Sequence, residues 1–314
     1  MVKKISFVSS CFNEEGNVEE LFSRVKAQAE KFPNYEWEYI ILDNGSVDGT
    51  AQKLEQMALA DKHLKVIINA RNFGHIRSPY YGICEAKGDA VIYLASDLQD
   101  PPELIEEFIK KWEAGFKIVL GQKNSSEENC LMFFIRKMFY KGLKMISDDG
   151  TQMLQNCTGF GLYDKVIVDI LRNNDDSYPY LRGQICDVGF EKAFVQFNQP
   201  LRKRGITKNN FYTLYDNAML GVVKHSKVPL RIMTFIGFLT SFLSISLALL
   251  YFILKILFWQ MFDFGLAPLI ISIFFFASVQ LFCLGILGEY IGAIYTRVDK
   301  KPLVVPKKRI NFEE

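Results

Sequence analysis

The sequence predicts an α/β domain built on a parallel, doubly wound sheet, followed by a pair of membrane-crossing helices. Three observations carry this expectation. Short apolar runs alternate with stretches of helical periodicity through the first part of the chain. Polar and acidic clusters follow directly on several of those runs, where the carboxyl ends of parallel strands receive ligands. Two late stretches, Ile232–Leu254 and Gly265–Gly288, contain no charged residue.

The elements follow in order. Ile5–Ser10 is a strand-like apolar run that ends at Cys11-Phe12-Asn13-Glu14-Glu15. A helix to about Lys31 follows, with Val18, Leu21, Phe22 and Val25 on one face. Tyr39–Leu42 is the second strand, closed by Asp43-Asn44-Gly45-Ser46. Asp48-Gly49-Thr50 opens a helix to about Ala60, capped by Asp48 or Thr50. Val66–Ile68 is the third strand, and Ala90–Leu94 the fourth, ending at Ala95-Ser96-Asp97. Asp100-Pro101-Pro102-Glu103 starts another helix, because proline is tolerated in a first turn and Asp100 can cap it. Ile118–Leu120 gives the fifth strand.

Each charge-free stretch is about 23 residues, roughly 35 Å as a helix, against a hydrocarbon core of about 30 Å. Lys224, Lys227 and Arg231 precede the first; Arg297, Lys300, Lys301, Lys307, Lys308 and Arg309 follow the second. The positive-inside rule therefore predicts a multi-pass protein of the cytoplasmic membrane with both termini cytosolic. Trp259 lies in the connector Lys255–Phe264 and suits an interface anchor. The N-terminus carries no signal-peptide pattern. The expected domains are a cytosolic domain over residues 1–225, a hairpin over 230–295 and a basic tail over 296–314.

Composition excludes several classes. With 37 Lys and Arg against 35 Asp and Glu, the net charge is only +2, too balanced for a chain whose work is gripping nucleic acid. The six cysteines include no C-x-x-C pair and read as reduced thiols. No G-x-G-x-x-G follows the first strand and no G-x-x-x-x-G-K-[ST] occurs, which argues against dinucleotide oxidoreductases and P-loop NTPases.

Several stretches then occur in a fixed order: Cys11-Phe-Asn-Glu-Glu15, Leu42-Asp-Asn-Gly-Ser-Val-Asp-Gly-Thr50, Arg71-Asn-Phe-Gly-His75 and Lys87 through Ala95-Ser-Asp-Leu-Gln-Asp-Pro-Pro-Glu103. Tyr180-Leu-Arg-Gly183, Arg202-Lys-Arg-Gly-Ile-Thr-Lys208 and Leu287-Gly-Glu-Tyr-Ile-Gly292 complete the set. Together they resemble the family-2 inverting glycosyltransferases of the polyprenyl-phosphate type, which include dolichol-phosphate mannose synthase and undecaprenyl-phosphate glucosyltransferases. The resemblance implies a GT-A nucleotide-sugar fold with amphipathic interface helices, here about 125–147 and 210–228, besides the hairpin. It implies transfer of one hexose from a nucleotide sugar, with UDP-hexose favoured, to a polyprenyl phosphate at the bilayer. A homo-oligomer is compatible with it.

The resemblance also assigns roles. Asn13 and Glu15 lie under the donor nucleotide, Asp43 and Asn44 face its base and ribose, and Arg71 stands on the diphosphate side. Ser96 and Asp97 contact the donor, and Asp97 with Gln99 holds Mg2+ or Mn2+, a hard cation suited to oxygen ligands. The family's usual Asp-x-Asp is Ala95-Ser96-Asp97 here, so the first carboxylate is missing. Lys123, Arg136, Arg202, Arg204 and Lys208 would hold the acceptor phosphate, with Asp97, Arg136 and Arg202 the catalytic set. Asn156-Cys-Thr-Gly-Phe160 lacks the carboxylate that some bacterial relatives carry at Gly159; a lipid phosphate with a second pKa near 6 needs no base. Two rivals stand beside this reading. A processive polysaccharide synthase would carry a Q-x-x-R-W motif, which is absent, and a non-catalytic sugar-nucleotide sensor is suggested by Ala95.

Overall fold

The computed structural model describes residues 2–124, 156–174, 176–200, 228–258, 266–299 and 301–312. They fall into two units: an α/β unit, which includes the chain from Asp299 onward, and a helical unit that runs to Val298.

The α/β unit is an eight-stranded sheet. Its strands are β1 (Lys3–Cys11), β2 (Tyr35–Asp43), β3 (Leu64–Asn69), β4 (Ala90–Tyr93), β5 (Ile118–Lys123), β6 (Cys157–Asp164), β7 (Lys192–Phe197) and β8 (Pro306–Ile310). The order across the sheet is β7-β5-β6-β4-β1-β2-β3-β8. β1 pairs in parallel with both β2 and β4, with Cys11 opposite Asp43 and Val8 opposite Tyr93. The expected parallel sheet is thus observed at the centre, and β6 and β8 run antiparallel to their neighbours.

Helices cover both faces, which explains why the central strands are buried without alternation. On one face Val18, Leu21 and Val25 of α1 (Val18–Ala29), Leu54 of α2 (Thr50–Ala60) and Phe108 of α4 (Ile105–Glu113) pack with Phe7 and Ile41. On the other, Tyr80 and Ile83 of α3 (Gly74–Glu85), Ile167 and Leu171 of α5 (Lys165–Arg172) and Ile185 of α6 (Leu181–Asp187) pack with Val8 and Leu42.

Two expectations are corrected. Asp100 does not cap the following helix: its Oδ2 accepts from the Ala95 amide at 3.0 Å, behind it in the chain. A capping Asp would reach an amide two or three residues on; Pro102 has none, and no side-chain cap closes the turn that begins there. The tail is also more than a basic extension. Pro306–Ile310 pairs with β3, Ala70 donates to the Val305 carbonyl at 2.9 Å, and Arg77 reaches the Pro302 carbonyl at 2.7 Å. Lys308 pairs with Glu55 and Arg309 with Glu85, so charges that signalled a tail instead decorate an edge strand.

The helical unit contains α7 (Val228–Leu257) and α8 (Leu266–Val298). Residues 228–254 and 272–298 are each long and apolar enough to cross a membrane, and their most apolar windows are not buried within the protein.

Candidate active site

The site lies at the carboxyl ends of β1 to β4. The loops after β1 and β2 are laced together. The Asn13 amide donates to Ser46 Oγ at 2.8 Å and the Val47 amide to Asn13 Oδ1 at 2.9 Å. The Glu14 amide donates to Thr50 Oγ1 at 2.9 Å and the Gly49 amide to Glu15 Oε2 at 3.2 Å. Asn13 sits at φ +58°, a left-handed conformation that asparagine tolerates. Asp48 Oδ1 accepts from the Thr50 amide at 3.0 Å, close to the expected cap.

Asp43 is buried at the end of β2. One carboxylate oxygen accepts from the Ser46 amide at 3.2 Å; the other is buried with no partner among the described residues. Burial raises its pKa, against the lowering effect of Ser46 and Gly45, and nearby Asp48 adds to the rise.

Asn44 does not present its amide to a ligand, contrary to expectation. Nδ2 donates to Asn72 Oδ1 at 3.0 Å and to the Gly74 carbonyl at 3.1 Å. Oδ1 accepts from the Phe73 amide at 2.9 Å and from Asn69 Nδ2 at 3.1 Å. Two donors and two acceptor positions are all that an amide offers. Asn44 is therefore the hub that shapes the 69–74 turn. Gly45 completes that seam: at φ +74°, a Cβ there would fall 2.6 Å from the Arg71 carbonyl carbon.

This turn presents Arg71. Its guanidinium lies over the Phe73 ring, 4.2 Å from the centroid, and Nη1 donates to the Asn72 carbonyl at 3.0 Å. Arg77, which the family resemblance leaves without a role, stands over the same ring at 5.7 Å. Burial and then repulsion from Arg71 lower the Arg77 pKa.

The loop after β4 carries the acidic groups. Ser96 is buried and its Oγ donates to the Ser10 carbonyl at 3.0 Å, so it holds the loop to β1. Half-buried Asp97 accepts from the Gln99 amide at 3.1 Å. Leu98 between them takes φ +61°, which costs a leucine about 1–2 kcal/mol, and its side chain is anchored in the core. Gln99 Nε2 donates to the Pro200 carbonyl at 3.4 Å, which orients the amide. Asp100 is a second acid that the sequence had read only as a cap. Burial raises its pKa to about 6; the Ala95 amide and Lys123 oppose the rise and Asp97 adds to it.

No group of three His, Cys, Asp or Glu suited to a metal occurs among the described residues. Asp97 and the Gln99 side-chain oxygen are nevertheless hard donors on one short loop. They fit a divalent cation whose remaining ligands are phosphate oxygens and water. At the end of β5, Lys123 donates to Gln199 at 2.7 Å. Arg136, Arg202, Arg204 and Lys208, and the stretches 125–147 and 210–227 expected at the interface, lie outside the described residues.

A mostly parallel α/β sheet with acidic and cationic loops at its carboxyl edge is an architecture of the GT-A type. Residues 6–179 match glycosyl transferase family 2, and the chain belongs to that family. It is 34% identical to an uncharacterized glycosyltransferase of Synechocystis sp., over 96% of this chain and 94% of that one. It is 32% identical to the SfII prophage-derived bactoprenol glucosyl transferase of Shigella flexneri, over 97% of this chain and 98% of that protein. Among solved structures it is similar to glucosyl-3-phosphoglycerate synthase from Mycobacterium tuberculosis in complex with Mn2+ and UDP-glucose. There the TM-score is 0.49 and the identity 18%, with 69% of this chain and 75% of that chain covered.

Proposed function

We propose that the chain is a membrane-bound polyprenyl-phosphate glycosyltransferase that moves one hexose from a nucleotide sugar, UDP-hexose by preference, to a polyprenyl phosphate. The carrying observation is the conjunction of the acidic Asp97 loop at the sheet's carboxyl edge with two helices long enough to span a bilayer. The similarity to bactoprenol glucosyl transferases supports the acceptor. The flanking charges support a cytosolic catalytic domain and cytosolic termini.

In this reading the laced loops around Asn13, Glu15 and Asp43 receive the nucleotide. The unpartnered Asp43 oxygen supplies an acceptor for a base or ribose donor, while Asn44 acts by holding the turn that presents Arg71. Bound Mg2+ or Mn2+ at Asp97 and Gln99 would neutralise the departing diphosphate. Lys123 and the cations at Arg136, Arg202, Arg204 and Lys208 hold the acceptor phosphate. Its dianionic oxygen attacks the anomeric carbon as the bond to the diphosphate breaks, inverting the centre, and no proton has to be removed. Incubating membranes with radiolabelled UDP-hexose and undecaprenyl phosphate tests this. Label should pass to the organic phase in a linkage inverted relative to the donor. Donor binding without transfer would favour the sensor instead.

A further inference from the structure

The Tyr180-Leu-Arg-Gly183 stretch leads into α6, a short helix pinned by its inner face. Ile185 and Cys186 are buried in the layer that holds Tyr163 and Cys157, and Gln184 reaches the Tyr80 hydroxyl. Arg182 lies three and four residues before that buried pair, so it shares their face instead of the solvent face of exposed Asp187. It is accordingly half-buried.

The first turn of α6 sits where three strand ends meet. Leu181 lies 3.6 Å from the position of a Cβ at Gly159, near the start of β6. That part of β6 runs beside the exit of β4, with Gly161 opposite Tyr93, and the Lys123 amide donates to the Asn156 carbonyl at 3.1 Å. β4 leads into the Asp97 loop and β5 ends at Lys123. The charges agree with this placement. Burial pushes the Cys157 thiol up to about 11 against the lowering effect of Arg182. On Tyr93 the same guanidinium opposes burial, Asp100 and Asp97. Among the described residues no carboxylate forms an ion pair with Arg182. A half-buried guanidinium that no described carboxylate pairs with favours an anion, and its fork matches phosphate oxygens.

We infer that Arg182 is a phosphate-binding residue of the transfer centre, contacting either the acceptor phosphate or the departing diphosphate. The inference rests on the proposed function. Its test uses the full chain in detergent with magnesium, comparing Arg182→Gln and Arg182→Lys with wild type. Transfer from UDP-hexose to undecaprenyl phosphate gives kcat and both KM values; calorimetry gives UDP affinity. Arg182→Gln should lose about 10²-fold in kcat/KM, the scale of one lost transition-state contact, and Arg182→Lys should recover part of it. Weakened UDP binding would place the contact on the diphosphate. A raised acceptor KM with unchanged UDP affinity would place it on the lipid phosphate. Values within twofold of wild type for both, with a wild-type thermal transition, would overturn the inference. If Arg182→Gln does not fold, Arg182→Lys decides alone by the same criterion. If wild type itself transfers nothing, the proposed function fails. Arg182 then falls too if Arg182→Gln binds UDP and undecaprenyl phosphate as wild type does.

Discussion

Asn44→Asp exchanges one NH2 for an oxygen, and its effect follows from the two contacts that group makes. The new oxygen faces Asn72 Oδ1 at 3.0 Å and the Gly74 carbonyl at 3.1 Å, both acceptors. Asn72 cannot turn its amide to help, because its Oδ1 also accepts from the Gly74 amide at 2.7 Å. Two lost hydrogen bonds at about 1 kcal/mol each, with added repulsion between oxygens, give a cost of about 3 kcal/mol. That cost falls on the ionised form, so the folded-state pKa should rise by about 2 from an unfolded value of about 3.9. The sign follows from proton counting. Between about pH 4 and 6 the native state binds more protons than the unfolded one, so the variant loses stability as pH rises through this window. Below it the neutral acid restores one donor and most of the deficit disappears. Urea unfolding in detergent, followed by fluorescence at several pH values, measures this. A variant as stable as wild type at pH 8, or a deficit independent of pH, would refute the hub role of Asn44.

Three further outcomes are expected. Asp97→Asn should cost at least about 10²-fold in turnover, while Ala95→Asp should lower the metal concentration for half-maximal rate; full activity of Asp97→Asn in chelator would contradict both. Buried Glu38 is pushed up by burial, but Lys4, Lys65 and Ser6 outweigh that and hold it at about 2. Its depressed pKa contributes stability present above about pH 4.3 and lost as pH falls towards 2, so Glu38→Gln should flatten the acid limb and cost ~3 kcal/mol at neutral pH; denaturant midpoints from pH 3 to 7 decide. A cysteine at Gln260 should react with an impermeant thiol reagent in intact cells and one at Glu314 should not, the reverse pattern excluding the topology.

The central strands were legible because helices bury both their faces, which leaves short runs dense in apolar residues, such as Tyr39–Leu42 and Val66–Ile68. The helix Gly74–Glu85 was not, since Pro79 and Gly82 interrupt its period; a Cβ at Gly82 would run into Leu42 and Val8. β8 was hidden by its own exposed Lys307, Lys308 and Arg309. Asp43, Ser96 and Asp97 could be found because each stands at or just beyond a strand end. The role of Asn44 could not, because most of its partners lie 28 to 30 residues away and are gathered only by the fold. Asp100 looks like a cap in sequence, but its carboxylate turns back to the Ala95 amide.

The return of the chain to the sheet has a consequence of parity. β7 and β8 belong to one hydrogen-bonded sheet, and both long apolar helices lie between them in the chain. A folded sheet lies on one side of a bilayer, so in a membrane-bound protein of this connectivity the chain between β7 and β8 would cross an even number of times. This arithmetic constrains insertion without reference to flanking charge. It also sets an order of events in synthesis, because the edge of β3 stays open until β8, which follows both apolar helices, leaves the ribosome. In such a protein a nascent chain that inserted only one of the two helices would strand β8 on the wrong side and could not close its own sheet.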